Sequence, residues 1–232
     1  MRLYAIGDVH GRRDLLAEMH ARIRAEIIRD RPPDWRIIHL GDYVDRGPDS
    51  KGVLDLLLSA QAADARVLTL AGNHDVGFLE FLAHPVPTGL FARYGGVETA
   101  RSYGIGLEFD SPALFRQGSD ALAQSVPADH VELLSALPYS QIFGDFFFCH
   151  AGIRPGVPLD QQDRMDLIWI REAFLEWPHL HPKVVVHGHT PVPQAEVMGN
   201  RVDVDTGAFR TGRLTALVID GAEKRFLGVA DA

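Results

Sequence analysis

The sequence of 232 residues holds a single cysteine, Cys149, so no internal disulfide can form and a reducing, cytoplasmic setting is expected. It also lacks an uninterrupted apolar run of roughly 18 residues, which argues against a membrane-spanning helix. Basic charge is scarce: 23 Lys and Arg against 31 Asp and Glu leave a formal net charge of −8. Nucleic acid and anionic membranes are therefore not expected as partners, and an anionic substrate must be attracted locally. Met1 to Asp8 reach an acid too soon for a signal peptide. No internal repeat or low-complexity linker divides the chain, so one domain over residues 1–232 is expected. A hydrophobic content of 46% with 23% charged residues suits a folded globular protein.

Leu3 to Ile6 reads as a short apolar strand, closed by the tight turn Gly7-Asp8-Val9-His10-Gly11. Asp14 is expected to cap the helix that follows, in which Leu15, Leu16, Met19, Ile23 and Ile27 recur at helical spacing until Arg31-Pro32-Pro33-Asp34 stops it. The pattern then repeats. Strand Arg36 to Leu40 runs into Gly41-Asp42-Tyr43-Val44-Asp45-Arg46-Gly47, and Asp49 or Ser50 caps a helix carrying Val53, Leu54, Leu57 and Leu58. Strand Val67 to Leu70 runs into Gly72-Asn73-His74-Asp75, with a helix from about Val76 to Leu82 behind it. The clusters start 34 (42 − 8) and 31 (73 − 42) residues apart, the spacing of βαβ units, so a parallel sheet with helices on its faces is expected.

Residues 85–137 read as an inserted helical segment over the rim of the site, with substrate choice and plain packing equally open as its role. After Pro138, Tyr139 to Phe143 and Phe146 to Cys149 flank Gly144-Asp145 as a hairpin that runs into His150-Ala151-Gly152. The stretch Leu167 to Phe174 is expected to end helical. Lys183 to Val186 is a buried strand before His187-Gly188-His189-Thr190. A second hairpin, Glu196 to Met198 with Arg201 to Val204, precedes strands Leu214 to Ile219 and Arg225 to Val229.

Seven polar side chains thus collect at strand ends: Asp8, His10, Asp42, Asn73, His74, His150 and His189. Carboxylate, imidazole and amide donors without thiolate suit manganese, iron, zinc or nickel rather than a cysteine-rich structural zinc. The set exceeds the needs of one ion, and two ions roughly 3.5–4 Å apart sharing a carboxylate would use it.

In this order, Gly7 to Gly11, Gly41 to Gly47, Gly72 to Asp75, His150 to Gly152 and Gly188 to Thr190 resemble the five motifs of the calcineurin-like metallophosphoesterases. More narrowly they resemble the bacterial and phage phosphoprotein phosphatases, and Asp205 to Ala208 with Gly212 to Thr215 resembles the end of the phage-type enzymes. The resemblance implies an α/β sandwich of two packed mixed β-sheets flanked by helices, with the helical insertion. It implies two divalent metal ions, manganese first and iron, zinc or nickel as alternatives. Asp8, His10 and Asp42 would hold the first ion, and Asp42, Asn73, His150 and His189 the second. His74 would be the general acid, oriented by Asp45, while Arg46 and Arg171 would bind phosphoryl oxygens during direct attack of a metal-bridging hydroxide on phosphorus.

The function expected on this basis is hydrolysis of phosphoserine and phosphothreonine in a phosphoprotein or phosphopeptide, with phosphotyrosine also admitted. The alternative is a dinucleoside polyphosphate hydrolase acting on substrates such as diadenosine tetraphosphate; those relatives commonly carry Gln and Ala where this chain keeps His10 and Asp45. An inactive metal-containing phosphoprotein-binding module is the alternative of another class. The oligomeric state is open.

His39, His84, His130, His179 and His181 match no motif and are expected to be structural or solvated. His189 is taken as the ligand in preference to His187, since Pro191 stands where the superfamily commonly has a further histidine. Cys149 to Arg154 miss the Cys-x5-Arg spacing, because the required position is Pro155, and Cys149 is assigned to the core. Asp75 stands in place of the family's usual Glu, which changes a local contact and keeps the charge. Asp205 either partners a ligand histidine or ends a strand.

Overall fold

The computed structural model describes residues 1–231. Strand β1 (Arg2–Ile6) is buried from Leu3 onward, as a strand covered on both faces must be. Helix α1 (Arg13–Asp30) follows, burying Leu15, Leu16, Met19 and Ile23. Its N-cap is Arg12 rather than Asp14; Asp14 lies in the first turn and accepts a hydrogen bond from Arg12 Nε at 2.9 Å, where a carboxylate also meets the positive end of the helix dipole. Strand β2 (Trp35–His39) leads to α2 (Ser50–Ala63), capped by Asp49 through the Gly52 N–H. Strand β3 (Val67–Thr69) leads to α3 (Asn73–Ala83), which begins three residues earlier than its apolar pattern suggests, so that Asn73 and His74 ride on its first turn.

The segment after α3 contributes α4 (Leu90–Arg93), α5 (Gly96–Ser102), α6 (Pro112–Ser125) and α7 (Ala128–Ser135). Strands β4 (Ser140–Phe143) and β5 (Phe146–Cys149) form the expected hairpin. Two short helices, α8 (Arg164–Trp169) and α9 (Glu172–Leu175), then precede β6 (Val184–His187), β7 (Glu196–Val197), β8 (Arg201–Asp203), α10 (Ala208–Thr211), β9 (Arg213–Asp220) and β10 (Glu223–Ala230).

The strands make two mixed five-stranded sheets, ordered β10-β9-β1-β2-β3 and β4-β5-β6-β8-β7. Strands β1, β2 and β3 are parallel, as are β5, β6 and β8. Because side chains alternate along a strand, Leu3, Ala5, Ile38 and Leu40 pack against Phe146, Phe148, Val186 and Val202 of the second sheet, while Tyr4, Ile6 and Ile37 join the core formed with α1 and α2. On the far face of the second sheet Phe147, Cys149 and Val185 pack with Leu167, Ile170 and Phe174. The Cys149 thiol is buried and donates to the Gly152 carbonyl. Among the described residues, no helix is long and apolar enough to cross a membrane. The turns that follow β1, β2, β3, β5 and β6 meet at one edge of the sandwich, where α/β proteins place their ligands.

Candidate functional site

The backbone marks this edge before any side chain is considered. Among the described residues six non-glycines have positive φ; Arg31 ends α1, and the other five are His10 (43°), Asp42 (54°), Asp45 (70°), Arg46 (68°) and His189 (68°). Such conformations cost on the order of 1–3 kcal/mol each and persist only where surrounding structure enforces them. Two glycines let the turns touch. Gly41 has φ 106°, and a Cβ there would run into the Gly72 backbone, while one on Gly72 would strike Asp42.

Asp75 fastens the same two turns. Its carboxylate accepts the N–H groups of Asp42 (2.8 Å), Tyr43 (2.9 Å) and Gly72 (3.0 Å), so the shorter side chain still reaches across. Burial, aided by the nearby Asp42 charge, pushes the Asp75 carboxyl up to about 7.

Two buried clusters share Asp42: His10 with His74, and His150 with His189. Asp42 Oδ2 lies 3.3 Å from His10 Nε2 and 3.4 Å from His150 Nε2. Burial opposes the Asp42 charge, yet His150 and His74 beside it hold the carboxyl well below its ordinary value. His10 Nδ1 donates to the Val44 carbonyl at 2.8 Å and His150 Nδ1 to the Leu40 carbonyl at 3.0 Å, which aims both Nε2 lone pairs inward. Burial lowers His10 to about 3 and His189 to about 2, so both are neutral, as metal-binding imidazoles must be.

The second cluster fits a cation on its own chemistry. His150 Nε2 and His189 Nδ1 each lie 3.0 Å from Asn73 Oδ1 and 3.2 Å from one another. Together with Asp42 Oδ2 these are four atoms that can each offer a lone pair to a cation. Four of the distances between them, 3.0–3.4 Å, match the roughly 3.0 Å between neighbouring donors around an octahedral ion with bonds of about 2.1 Å. Around the first cluster a positive group is already drawn in: the Arg46 guanidinium approaches His10 Nε2 and His74 Nε2, both at 2.9 Å, and stacks over Phe209.

Asp8, which the resemblance assigns to the first ion, is buried beside these clusters, its Oδ1 4.0 Å from His150 Nδ1. Its carboxylate accepts from the His189 backbone N–H at 3.2 and 3.3 Å. Burial and the nearby charges of Asp205 and Asp42 raise it well above the usual carboxylate range, and a carboxylate crowded by others takes the amide donor within reach. Asp205 bonds no histidine; it accepts the Gly207 N–H at 2.8 Å. His187 turns away from the clusters, its Nδ1 donating to the Gly188 carbonyl and its ring edge-on to Phe174.

His74 Nδ1 lies 2.7 Å from Asp45 Oδ2, with both groups buried. Burial lowers the His74 pKa, but the Asp42 charge and the Asp45 hydrogen bond outweigh it and leave the imidazole raised.

A cavity of about 460 Å³ opens over Asp42, Asn73, His74 and His189. Arg46 and Arg171 line it, the latter from the link between α8 and α9. The sequence does not disclose Arg93 and Tyr94, which α4 and its cap bring to the lining, nor that Trp169 lies edge-on to His189. Thr99 of α5, bonded to Asp45 at 2.8 Å, was also hidden, because it stands 54 residues from its partner in a segment without ligand motifs. Of the histidines outside the motifs, His39 and His130 are buried in hydrogen bonds, whereas His84 and His179 are exposed.

Comparison with known proteins agrees with this architecture. The asymmetrical bis(5'-nucleosyl)-tetraphosphatase PrpE of Oceanobacillus iheyensis is 24% identical over 250 residues, covering 99% of this chain and 92% of its own. A protein of Caenorhabditis elegans, provisionally named a serine/threonine-protein phosphatase, is 29% identical over 71% of this chain and 40% of its own. A solved structure provisionally identified as a diadenosine tetraphosphatase shares the fold, with a TM-score of 0.69 at 21% identity over 100% of this chain and 95% of its own. Residues 1–218 match the pattern of the calcineurin-like phosphoesterases from first strand to last motif, and to that family the chain belongs.

Proposed function

We propose that the chain is a metal-dependent dinucleoside polyphosphate hydrolase that accepts diadenosine tetraphosphate. The observation that carries this reading is the near full-length likeness to a tetraphosphatase. It corrects the expectation of phosphoserine and phosphothreonine hydrolysis, since the relative named as a protein phosphatase aligns over 40% of its length. Retention of His10 and Asp45 does not speak against it. Both build the machinery that acts on a phosphoryl group, and they carry no information about what lies beyond it.

The cavity supports the same choice. A phosphomonoester brings one phosphoryl group, whereas a polyphosphate brings several negative charges in line with two bases. Arg46, Arg93 and Arg171 offer three guanidinium groups along one cavity, each able to grip phosphate in bidentate fashion. Tyr94 and Trp169, 54% and 39% exposed, offer aromatic faces on which a base can stack.

Asp8, His10 and Asp42 would hold one divalent ion and Asp42, Asn73, His150 and His189 the other, manganese being the first candidate. Bound there, the ions would supply Lewis acidity and a nucleophile available near neutral pH. The side chains do the rest. Arg46 turns from the two imidazoles to the phosphoryl oxygens, and this frees His74 Nε2 to carry a proton. Asp45 holds His74 through Nδ1, so the proton leaves from Nε2 toward the departing oxygen. Arg171 and Arg93 fix the neighbouring phosphates.

The test is hydrolysis of diadenosine tetraphosphate with added manganese and chromatographic identification of products. Release of ATP and AMP, abolished by chelator, is expected; absence of nucleotide release would overturn the proposal.

A further inference from the structure

Helix α5 comes from the inserted segment and carries no ligand motif, yet one of its side chains is fully buried against the pair that holds the proton. Thr99 Oγ1 donates to Asp45 Oδ1 at 2.8 Å and accepts the backbone N–H of the same residue at 2.8 Å. It also meets Ser50 Oγ at 2.9 Å, and Ser50 Oγ accepts the Asp45 N–H as well, at 3.1 Å. A hydroxyl has one proton and two lone pairs, and here all three are used. The ring that closes through Asp45 N–H, Thr99 Oγ1 and Asp45 Oδ1 leaves that side chain no freedom about its first torsion. The remaining oxygen, Oδ2, then points at His74 Nδ1, 2.7 Å away.

The helix itself is clamped. At its start the Gly95 carbonyl accepts the Arg46 N–H at 3.2 Å, in a conformation of φ 107° where a Cβ would collide with the Arg46 backbone. At its end Ser102 Oγ accepts the Lys51 N–H at 3.1 Å, and Tyr103 donates to His130 Nδ1 at 2.7 Å, whose Nε2 lies 3.0 Å from Asp55 of α2. Thr99 is thus held from both ends, and a β-branched residue is stiff at the torsion that matters.

We infer that Thr99 is a positioning residue for proton transfer, holding the Asp45 carboxylate so that His74 keeps its Nδ1 proton on Asp45 and presents Nε2 to the leaving oxygen. The inference rests on His74 acting as the general acid, and not on which phosphoester is the substrate. A purely structural Thr99 would affect all substrates alike; a positioning Thr99 affects those whose leaving group needs a proton.

The experiment compares phenyl phosphate, which leaves as a strongly basic phenoxide, with p-nitrophenyl phosphate, which leaves as a weakly basic one, in the manganese-loaded full-length enzyme. Thr99→Val is expected to lower kcat for phenyl phosphate on the order of tenfold more than for p-nitrophenyl phosphate, with Thr99→Ser restoring the ratio and His74→Asn showing a larger bias of the same kind. Thr99→Ala serves as the second variant if the valine does not fold. A proton NMR spectrum of the metal-free protein supplies a readout apart from activity: the downfield His74 Nδ1 proton should be present in wild type and Thr99→Ser, and broadened or lost in Thr99→Val. Bias in His74→Asn with none in Thr99→Val or Thr99→Ala overturns the positioning role alone. Absence of bias in His74→Asn overturns the acid assignment beneath it.

Discussion

The turns closing β1, β2, β3, β5 and β6 and the helical segment between α3 and β4 both face the cavity, and they reach it by different means. In the turns the groups are buried and five residues sit in left-handed backbone, so that Asp42, His150 and their neighbours are fixed by the sheets beneath them. The segment contributes through isolated side chains: Arg93 and Tyr94 at the open wall and Thr99 reaching inward to Asp45. Reaction and recognition are thus encoded differently in the two regions. Metal and proton chemistry demands several groups within hydrogen-bond reach, which compact motifs at strand ends supply. Recognition of a base or a distal phosphate needs one face or one cation at a distance.

Breaking the turns should have the largest effect. Asp42→Asn removes the carboxylate common to both clusters, and turnover should fall by more than the 10–100-fold typical of outer partners of metal ligands, with loss of bound metal measured by elemental analysis. His74→Asn should cost roughly 10²–10⁴-fold in turnover while metal content stays, as suits a proton donor. Metal loss in that variant would instead assign His74 to the first cluster as a ligand, which its place beside His10 and Asp42 allows. On the segment side, Arg93→Ala should raise KM for diadenosine tetraphosphate more than that for p-nitrophenyl phosphate, because only the former extends beyond one phosphoryl group.

The smallest effect lies outside both regions and concerns stability. His20 and His39 share a hydrogen bond at 2.8 Å beneath α1, and burial lowers them to about 3 and about 4. Their folded values lie below the unfolded one near 6.5, so the unfolded chain binds more protons as pH falls. The stability they permit is present above about 6.5 and lost on the way down to about 4 for His39 and about 3 for His20, at up to about 1.4 kcal/mol per pH unit for each ring. A His20→Gln variant should show a flatter decline in urea midpoint between pH 7 and 5 than the parent.

The same contrast explains what could be seen in the sequence. Strand, turn and helix repeated three times, and each turn kept its polar residues within a few positions, so Asp42, Asn73, His74, His150 and His189 were identifiable from local order alone. The two-sheet sandwich was implied by the motifs taken together. Three things were not visible. The contact of the Asp8 carboxylate with the His189 amide joins residues 181 apart, and the Gly7 to Gly11 stretch does not reveal it. Helix α3 begins at Asn73 because Gly72 and Asp75 set its first turn, and the apolar spacing marks only its later turns. Thr99, Arg93 and Tyr94 enter the site through tertiary contacts between segments tens of residues apart, which no periodicity records.

The division in which the turns perform the reaction while Tyr94 and Trp169 read the nucleoside is tested most directly by competitive inhibition of p-nitrophenyl phosphate hydrolysis. Inhibition constants for AMP and ribose 5-phosphate, which share a phosphoryl group and differ in the base, are measured in the parent enzyme and in a Tyr94→Ala, Trp169→Ala double variant. AMP should bind about tenfold tighter in the parent, as one base stacked on an aromatic face should, and the preference should disappear in the double variant. Equal inhibition in the parent, or an AMP preference that survives the loss of both rings, would contradict it.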